Sequence, residues 1–252
     1  MNIAYLTDIG KRRENNQDYV SVFKNKADVL FGIVADGMGG HLGGDVASEM
    51  VVSQIGHDFL ETDFATIPDL RDWLLTELTS ENSRLINVSS KFSDLTGMGT
   101  TFVAIMMINN HYLITNIGDS RGYLLRDGKL MQITEDHSLV NELVKYGKIS
   151  PEQAKNHPQK NVITRTLGIS KDVQPDSTND TWQQDDLFLL CTDGLTNMVS
   201  DEEIEKILTT EDISLDEKAQ RLIVQANVNG GLDNISVLLV QPATADVEVN
   251  RQ

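Results

Sequence analysis

One cysteine in 252 residues, Cys191, rules out an internal disulfide, and its place inside an apolar strand-like run marks it as a small buried hydrophobe. That fits a reducing compartment. Basic residues are scarce: 21 against 38 acidic ones give 21 − 38 = −17, a balance that repels phosphate backbones and anionic membranes alike. No nucleic-acid or membrane partner is expected. The longest apolar runs, such as Phe102 to Ile108, fall well short of the roughly 18 residues that a membrane helix needs. The first residues enter the alternating segment Ile3 to Asp8 directly, without a basic start or small-residue cleavage site. A soluble, cytoplasmic protein is the expectation.

Several chemistries are missing too. Gly37 to Leu42 begins like a dinucleotide-binding loop but ends in leucine, and Asp36 precedes it where an acid would repel pyrophosphate. Between Gly122 and Lys129 the glycine spacing is wrong for a P-loop, and Leu130 stands where a hydroxyl would hold magnesium. The aspartates at 172, 176 and 180 lack the spacing and central glycine of a calcium loop, and no Cys/His zinc spacing exists.

What is present is a set of short β-branched or aromatic runs bounded by turn residues. They predict strands at Ala4 to Thr7, Tyr19 to Phe23, Val29 to Ala35, Thr101 to Ile108, Tyr112 to Ile117, Gly122 to Arg126, Lys129 to Ile133, Leu187 to Cys191 and Ile235 to Val240. Asn109-Asn110 and Asp127-Gly128 read as hairpin turns that tolerate positive φ. Helices are predicted at Asp45 to Leu60, Pro68 to Val88, Ser138 to Tyr146, Asp201 to Leu208 and Leu215 to Val228, with a short turn from Pro151. Ser150 with Gln153, Ser200 with Glu203 and Ser214 with Glu217 have capping-box spacing. Long helices between hairpin blocks favour an α+β fold. With no internal repeat or proline-rich linker, residues 1–240 read as one domain and 241–252 as a polar tail. Residues 145–164, polar and carrying two prolines, read as an excursion over the surface.

Four aspartates sit at the mouths of these strands, each near a glycine: Asp36, Asp119, Asp193 and Asp233. A lone Asp-Gly is ordinarily a turn, but four at strand ends converge if the strands share a sheet edge. Two carboxylates about 4 Å apart repel by roughly 4 kcal/mol at an effective dielectric of about 20. Divalent cations relieve that repulsion, and protonating four acids at once is the harder route. Oxygen ligands alone select hard ions, Mg²⁺ or Mn²⁺. Asp36 is the strongest candidate, because Gly37 leaves its own carbonyl open to a second ion.

The ordered series Arg13-Glu14-Asn15-Asn16-Gln17-Asp18, Asp36-Gly37-Met38-Gly39-Gly40-His41, Gly97 to Thr101, Gly118-Asp119-Ser120-Arg121, Thr164 to Gly168, Thr192-Asp193-Gly194 and Asp233-Asn234 resembles that of the metal-dependent type 2C serine/threonine protein phosphatases in their compact bacterial form. The resemblance spans nearly the whole chain. It implies a four-layer αββα sandwich, two antiparallel sheets stacked face to face between helix pairs. It also implies that Asp36, Asp193 and Asp233 hold one ion, that Asp36, the Gly37 carbonyl and Asp18 (through water) hold a second, and that Asp119 and Asp193 hold a third. Arg13 would bind the substrate phosphate, and a water bridging two ions would attack phosphorus directly. His41, embedded in the aspartate-glycine loop, is the candidate general acid; His57, His111, His137 and His157 read as surface residues. Expected partners are phosphorylated proteins, including a cognate Ser/Thr kinase, with the enzyme a monomer and residues 145–164 as its variable flap. A nucleotidase or phosphodiesterase using the same ions and a non-enzymatic, metal-stabilised regulator are the alternatives.

Overall fold

The computed structural model describes residues 1–242, except the side chains of residues 40–42. Two antiparallel sheets form its centre. The first orders β1 (Asn2–Asp8), β11 (Ile235–Gln241), β10 (Leu187–Cys191), β7 (Arg121–Arg126) and β8 (Lys129–Gln132). The second orders β2 (Asp18–Lys24), β3 (Leu30–Met38), β5 (Phe102–Ile108), β6 (His111–Ile117) and β9 (Asp176–Thr181), with the two-residue β4 (Gly99–Thr100) pairing the end of β3.

Period-two alternation makes the layers. On β3, Phe31, Ile33 and Ala35 pack outward against Val51, Ile55 and Phe59 of α1 (Gly40–Leu60) and Leu74 and Leu78 of α2 (Ile67–Lys91). Leu30 and Val34 turn inward and meet Phe188, Leu190, Leu238 and Val240 of the other sheet. Val237 and Leu239 face the opposite way, onto Ile204 and Leu208 of α6 (Asp201–Leu208) and Leu222 and Ala226 of α7 (Leu215–Val228). The central strands thus bury both faces, and the sandwich is α-β-β-α. Gly32 belongs to this packing: a Cβ there would lie 2.5 Å from Leu238 Cδ2.

The periodic elements form where the sequence predicts them, and Met98, Met106, Met107 and Cys191 are buried. Asn109, Asp127 and Gly128 adopt positive φ in the two hairpins. Capping boxes close the starts of α4 (Pro151–Lys155) and α6, while Ser214 accepts from Glu217 N at the start of α7. Differences arise where apolar pattern is absent. β9, the sequence DSTNDT, is polar throughout and largely exposed; it is held by its ladder to β6 and a 2.8 Å hydroxyl contact between Thr115 and Ser177. α1 begins at Gly40 rather than Asp45, because its cap, Gly39, takes φ 124°, a conformation that glycine adopts without strain. The predicted segment from Ser138 to Tyr146 forms α3 (Leu139–Lys145), capped by Ser138. The expected tail lies outside the described residues from position 243 on, and β11 still includes Gln241.

Candidate active site

The β2–β3 ladder places Asp18 directly opposite Asp36. The end of β3 is pinned from the other side: Asp36 N donates to Thr101 Oγ1 at 2.9 Å, while Thr101 N and Thr100 Oγ1 each donate to Asp36 O at 2.9 Å. Gly37 N donates to Gln17 O at 3.0 Å. Gly37 cannot carry a side chain here, since its Cβ would fall 2.0 Å from Gly44 O.

From the other sheet, β10 delivers Asp193, which opens the short α5 (Asp193–Thr196), and Asp233 precedes β11. These two segments touch so closely that a Cβ on Gly194 would sit 1.8 Å from Asn234 O. Asn234 then stitches the Arg13 loop to the site. Its Nδ2 donates to Ile9 O at 2.9 Å and Asn15 O at 3.0 Å, and its Oδ1 accepts from Gln17 N at 2.8 Å. Arg13 Nη2 lies 2.7 Å from Asp233 Oδ2, with both side chains partly exposed.

The electrostatics follow from this convergence. Asp36 is raised well above the ordinary carboxyl pKa, chiefly by burial and then by Asp18, Asp193, Asp119 and Asp233. Burial also dominates at Asp18, which is pushed up to about 7 even though Ser236 and Thr192 hydrogen-bond its carboxylate. Asp119 rises to about 8 through burial, then Asp193 and Asp136. Asp193 is raised by burial and Asp233, against hydrogen bonds from Asp36 and from Asn197 Nδ2, the latter at 2.8 Å. Like charges are therefore held together by the fold against their own repulsion. Moreover, Oδ1 atoms of Asp18, Asp119 and Asp193 are buried without a hydrogen-bond partner. Orphaned carboxylate oxygens are costly, and a hard divalent cation satisfies several at once, so the donor set fits one. No three His, Cys, Asp or Glu side chains among the described residues are already drawn into a metal-ready cluster.

The structure thus brings together Asp18, Asp36, Asp119, Asp193 and Asp233, with Arg13 at the rim on Asp233. His41 lies in the first turn of α1, and its side chain is outside the described residues. Four supporting residues had no role assigned from sequence: Thr192, whose Oγ1 donates to Asp18 Oδ2 at 2.8 Å, Thr101 and Asn234, all within the motif series, and Asn197 outside it. Thr192 and Asn234 adjoin motif aspartates and Thr101 ends a motif, whereas Asn197 lies four residues after Asp193 with no local signal. His137 is a correction. Expected at the surface, it is 4% exposed, because its ring bonds Gly118 N and Asp176.

Sheet order and helix pairing define a four-layer sandwich, and the aspartates at its edge form an acidic site whose oxygen donors fit hard cations. Residues 10–227 match the family model described as Protein phosphatase 2C. The chain is 47% identical over 242 residues to the serine/threonine phosphatase stp of Listeria welshimeri, covering 96% of each chain. It is also similar to the solved Streptococcus agalactiae serine/threonine phosphatase, with TM-score 0.93, 45% identity and coverage of 96% of this chain and 99% of the other. A third likeness is to the catalytic domain of the serine/threonine protein phosphatase PstP in complex with two manganese ions, with TM-score 0.82, 38% identity and coverage of 94% and 96%. This chain belongs to the protein phosphatase 2C family and is a protein serine/threonine phosphatase. No helix among the described residues is long and apolar enough to cross a membrane.

Proposed function

We propose that this phosphatase uses Mn²⁺ or Mg²⁺ held by its aspartate nest to hydrolyse phosphoserine and phosphothreonine without a covalent enzyme intermediate. Asp36, Asp193 and Asp233 would hold one ion; Asp36, the Gly37 carbonyl and, through water, Asp18 would hold a second; Asp119 and Asp193 would hold a third. The observation that carries this reading is the three buried, partnerless carboxylate oxygens on Asp18, Asp119 and Asp193. When bound, such ions would polarise the phosphoryl group and acidify water toward hydroxide.

The chain's own residues do the rest. Asp36 and Asp193, each assigned to two ions, would hold neighbouring ions in one centre. Arg13 spends one donor on the partly exposed Asp233, an ion pair of the kind that contributes at most about 1 kcal/mol. Its planar fork exchanges that contact for phosphate oxygens at little cost. His41 is assigned the proton for the leaving seryl or threonyl oxygen. Residues 1–240 are read as one catalytic unit acting as a monomer in the cytoplasm, with 145–164 biasing substrate choice. Phosphorylated proteins are the substrates, and we assign among them a cognate Ser/Thr kinase and its targets.

Phosphate release from a phosphothreonine peptide tests the reading. Turnover with Mn²⁺ and none with chelator is expected; equal rates in both would overturn it.

A further inference from the structure

Behind the aspartate nest lies a buried imidazole that the chemistry above does not use. His137 is clasped to Gly118 from both sides: Gly118 N donates to His137 Nδ1 at 3.1 Å, and His137 N donates to Gly118 O at 2.9 Å. Gly118 is itself constrained. Its φ is 104°, and a Cβ would meet the Thr101 side chain at 2.6 Å. The next residue is Asp119, whose buried Oδ1 lacks a partner. On its other side, His137 O accepts from Thr164 N at 2.8 Å, Leu139 N donates to Val162 O at 2.8 Å, and Ser138 bridges Ile163. The end of the 145–164 excursion is thereby tied, through one residue, to the turn that aims Asp119.

The tautomer is dictated by these partners. Because Gly118 N–H points at Nδ1, that nitrogen carries no proton, so Nε2 carries it and donates to Asp176 Oδ2 at 3.1 Å. Arg165 Nη1 stands 3.3 Å from both Nε2 and Asp176 Oδ1. Two donors cannot bond each other, so Arg165 is held by Asp176 rather than by the ring. Burial lowers the His137 pKa, against Asp176 and Glu135, which raise it. The ring thus stays neutral, as an acceptor at Nδ1 requires.

We infer that His137 is a positioning residue: its neutral ring locks the Gly118 peptide so that the Asp119 carboxylate is presented to the metal centre, and it couples that turn to the flap. This rests on the assignment of Asp119 as a metal ligand. Partners that orient a ligating carboxylate typically change affinity or activity about 10–100-fold when removed.

Two near-isosteres separate positioning from mere packing. In asparagine the amide oxygen hangs from Cγ, as Nδ1 does, so His137→Asn keeps the acceptor for Gly118 N and loses Asp176. His137→Gln reaches toward Asp176 and loses that acceptor. Amide exchange of Gly118 is followed by NMR in the chelator-treated protein, and kcat and the Mn²⁺ concentration for half-maximal activity are measured alongside. Expected are wild-type-like protection and near-normal kcat in His137→Asn. In His137→Gln, Gly118 protection falls roughly 10-fold or more, and kcat falls, or the Mn²⁺ requirement rises, by about 10-fold, at a melting temperature matching that of His137→Asn. Equal protection and activity in the two variants would overturn the inference. Asp119→Asn is the separate control: full activity there removes the ligand reading itself, whereas its loss together with indistinguishable His137 variants removes only the role given to His137.

Discussion

Asp18 and Asp36 stand directly opposite each other across the β2–β3 ladder, a like-charge pair that a sheet ordinarily penalises. The penalty is compounded, since Asp193, Asp119 and Asp233 add to it at Asp36. Replacing Asp36 removes the cost of either ionising or protonating a carboxyl in this site, and should therefore stabilise the metal-free protein while destroying its activity. For Asp36→Asn in chelator, a melting temperature raised by about 2–4 °C per kcal/mol gained is expected, with turnover lost in Mn²⁺. A lowered melting temperature with activity retained would contradict this.

Asp193 and Asp119 should differ. Asp193 is assigned to two ions and is braced by Asn197, so Asp193→Asn should nearly abolish turnover. Asp119→Asn should leave the two-ion centre intact and reduce kcat less, with little change in melting. Steady-state kinetics on a phosphothreonine peptide, beside thermal melts, distinguishes them.

The pH dependence of the metal-free protein has a fixed sign. Asp18 and Asp119 are raised to about 7 and about 8, so between the ordinary carboxyl range and those values the folded state binds more protons than the unfolded one. Stability must fall as pH rises through that window. Melting in chelator should decline from about pH 5.5 to about pH 8.5, and Mn²⁺ should abolish the decline, because metal binding displaces those protons. A flat profile in chelator would count against the buried acids.

Gly194 approaches Asn234 O so closely that Gly194→Ala forces α5 and the start of β11 apart. The variant should lose most activity, and it should also release the Arg13 loop that Asn234 holds. Proteolysis within residues 9–17 is the readout, and an unchanged digestion pattern with full activity would refute it.

His41→Ala should slow alkyl phosphates far more than an aryl phosphate whose leaving group needs no proton. Equal losses on both would take His41 out of the acid role.

Much of this was legible in the chain. Strands such as Leu187–Cys191 and Ile235–Gln241 announce themselves by apolar runs, and Ser200 with Glu203 marks a helix start that the structure reproduces. The motif aspartates were readable because they punctuate those strands. What stayed hidden lacks periodicity or depends on distant partners. β9 has no apolar face to signal it, and α5 is a single turn. Nothing local to His137 reveals that Gly118 and Asp176 will close around its ring. The facing of Asp18 and Asp36 depends on strand register, which only the completed sheet sets.

Anomalous scattering from manganese-soaked crystals tests the account most directly. It predicts at least two peaks sharing Asp36, one also touching Asp193 and Asp233, the other the Gly37 carbonyl. Peaks elsewhere, or none near Asp36 at saturating Mn²⁺, would contradict it.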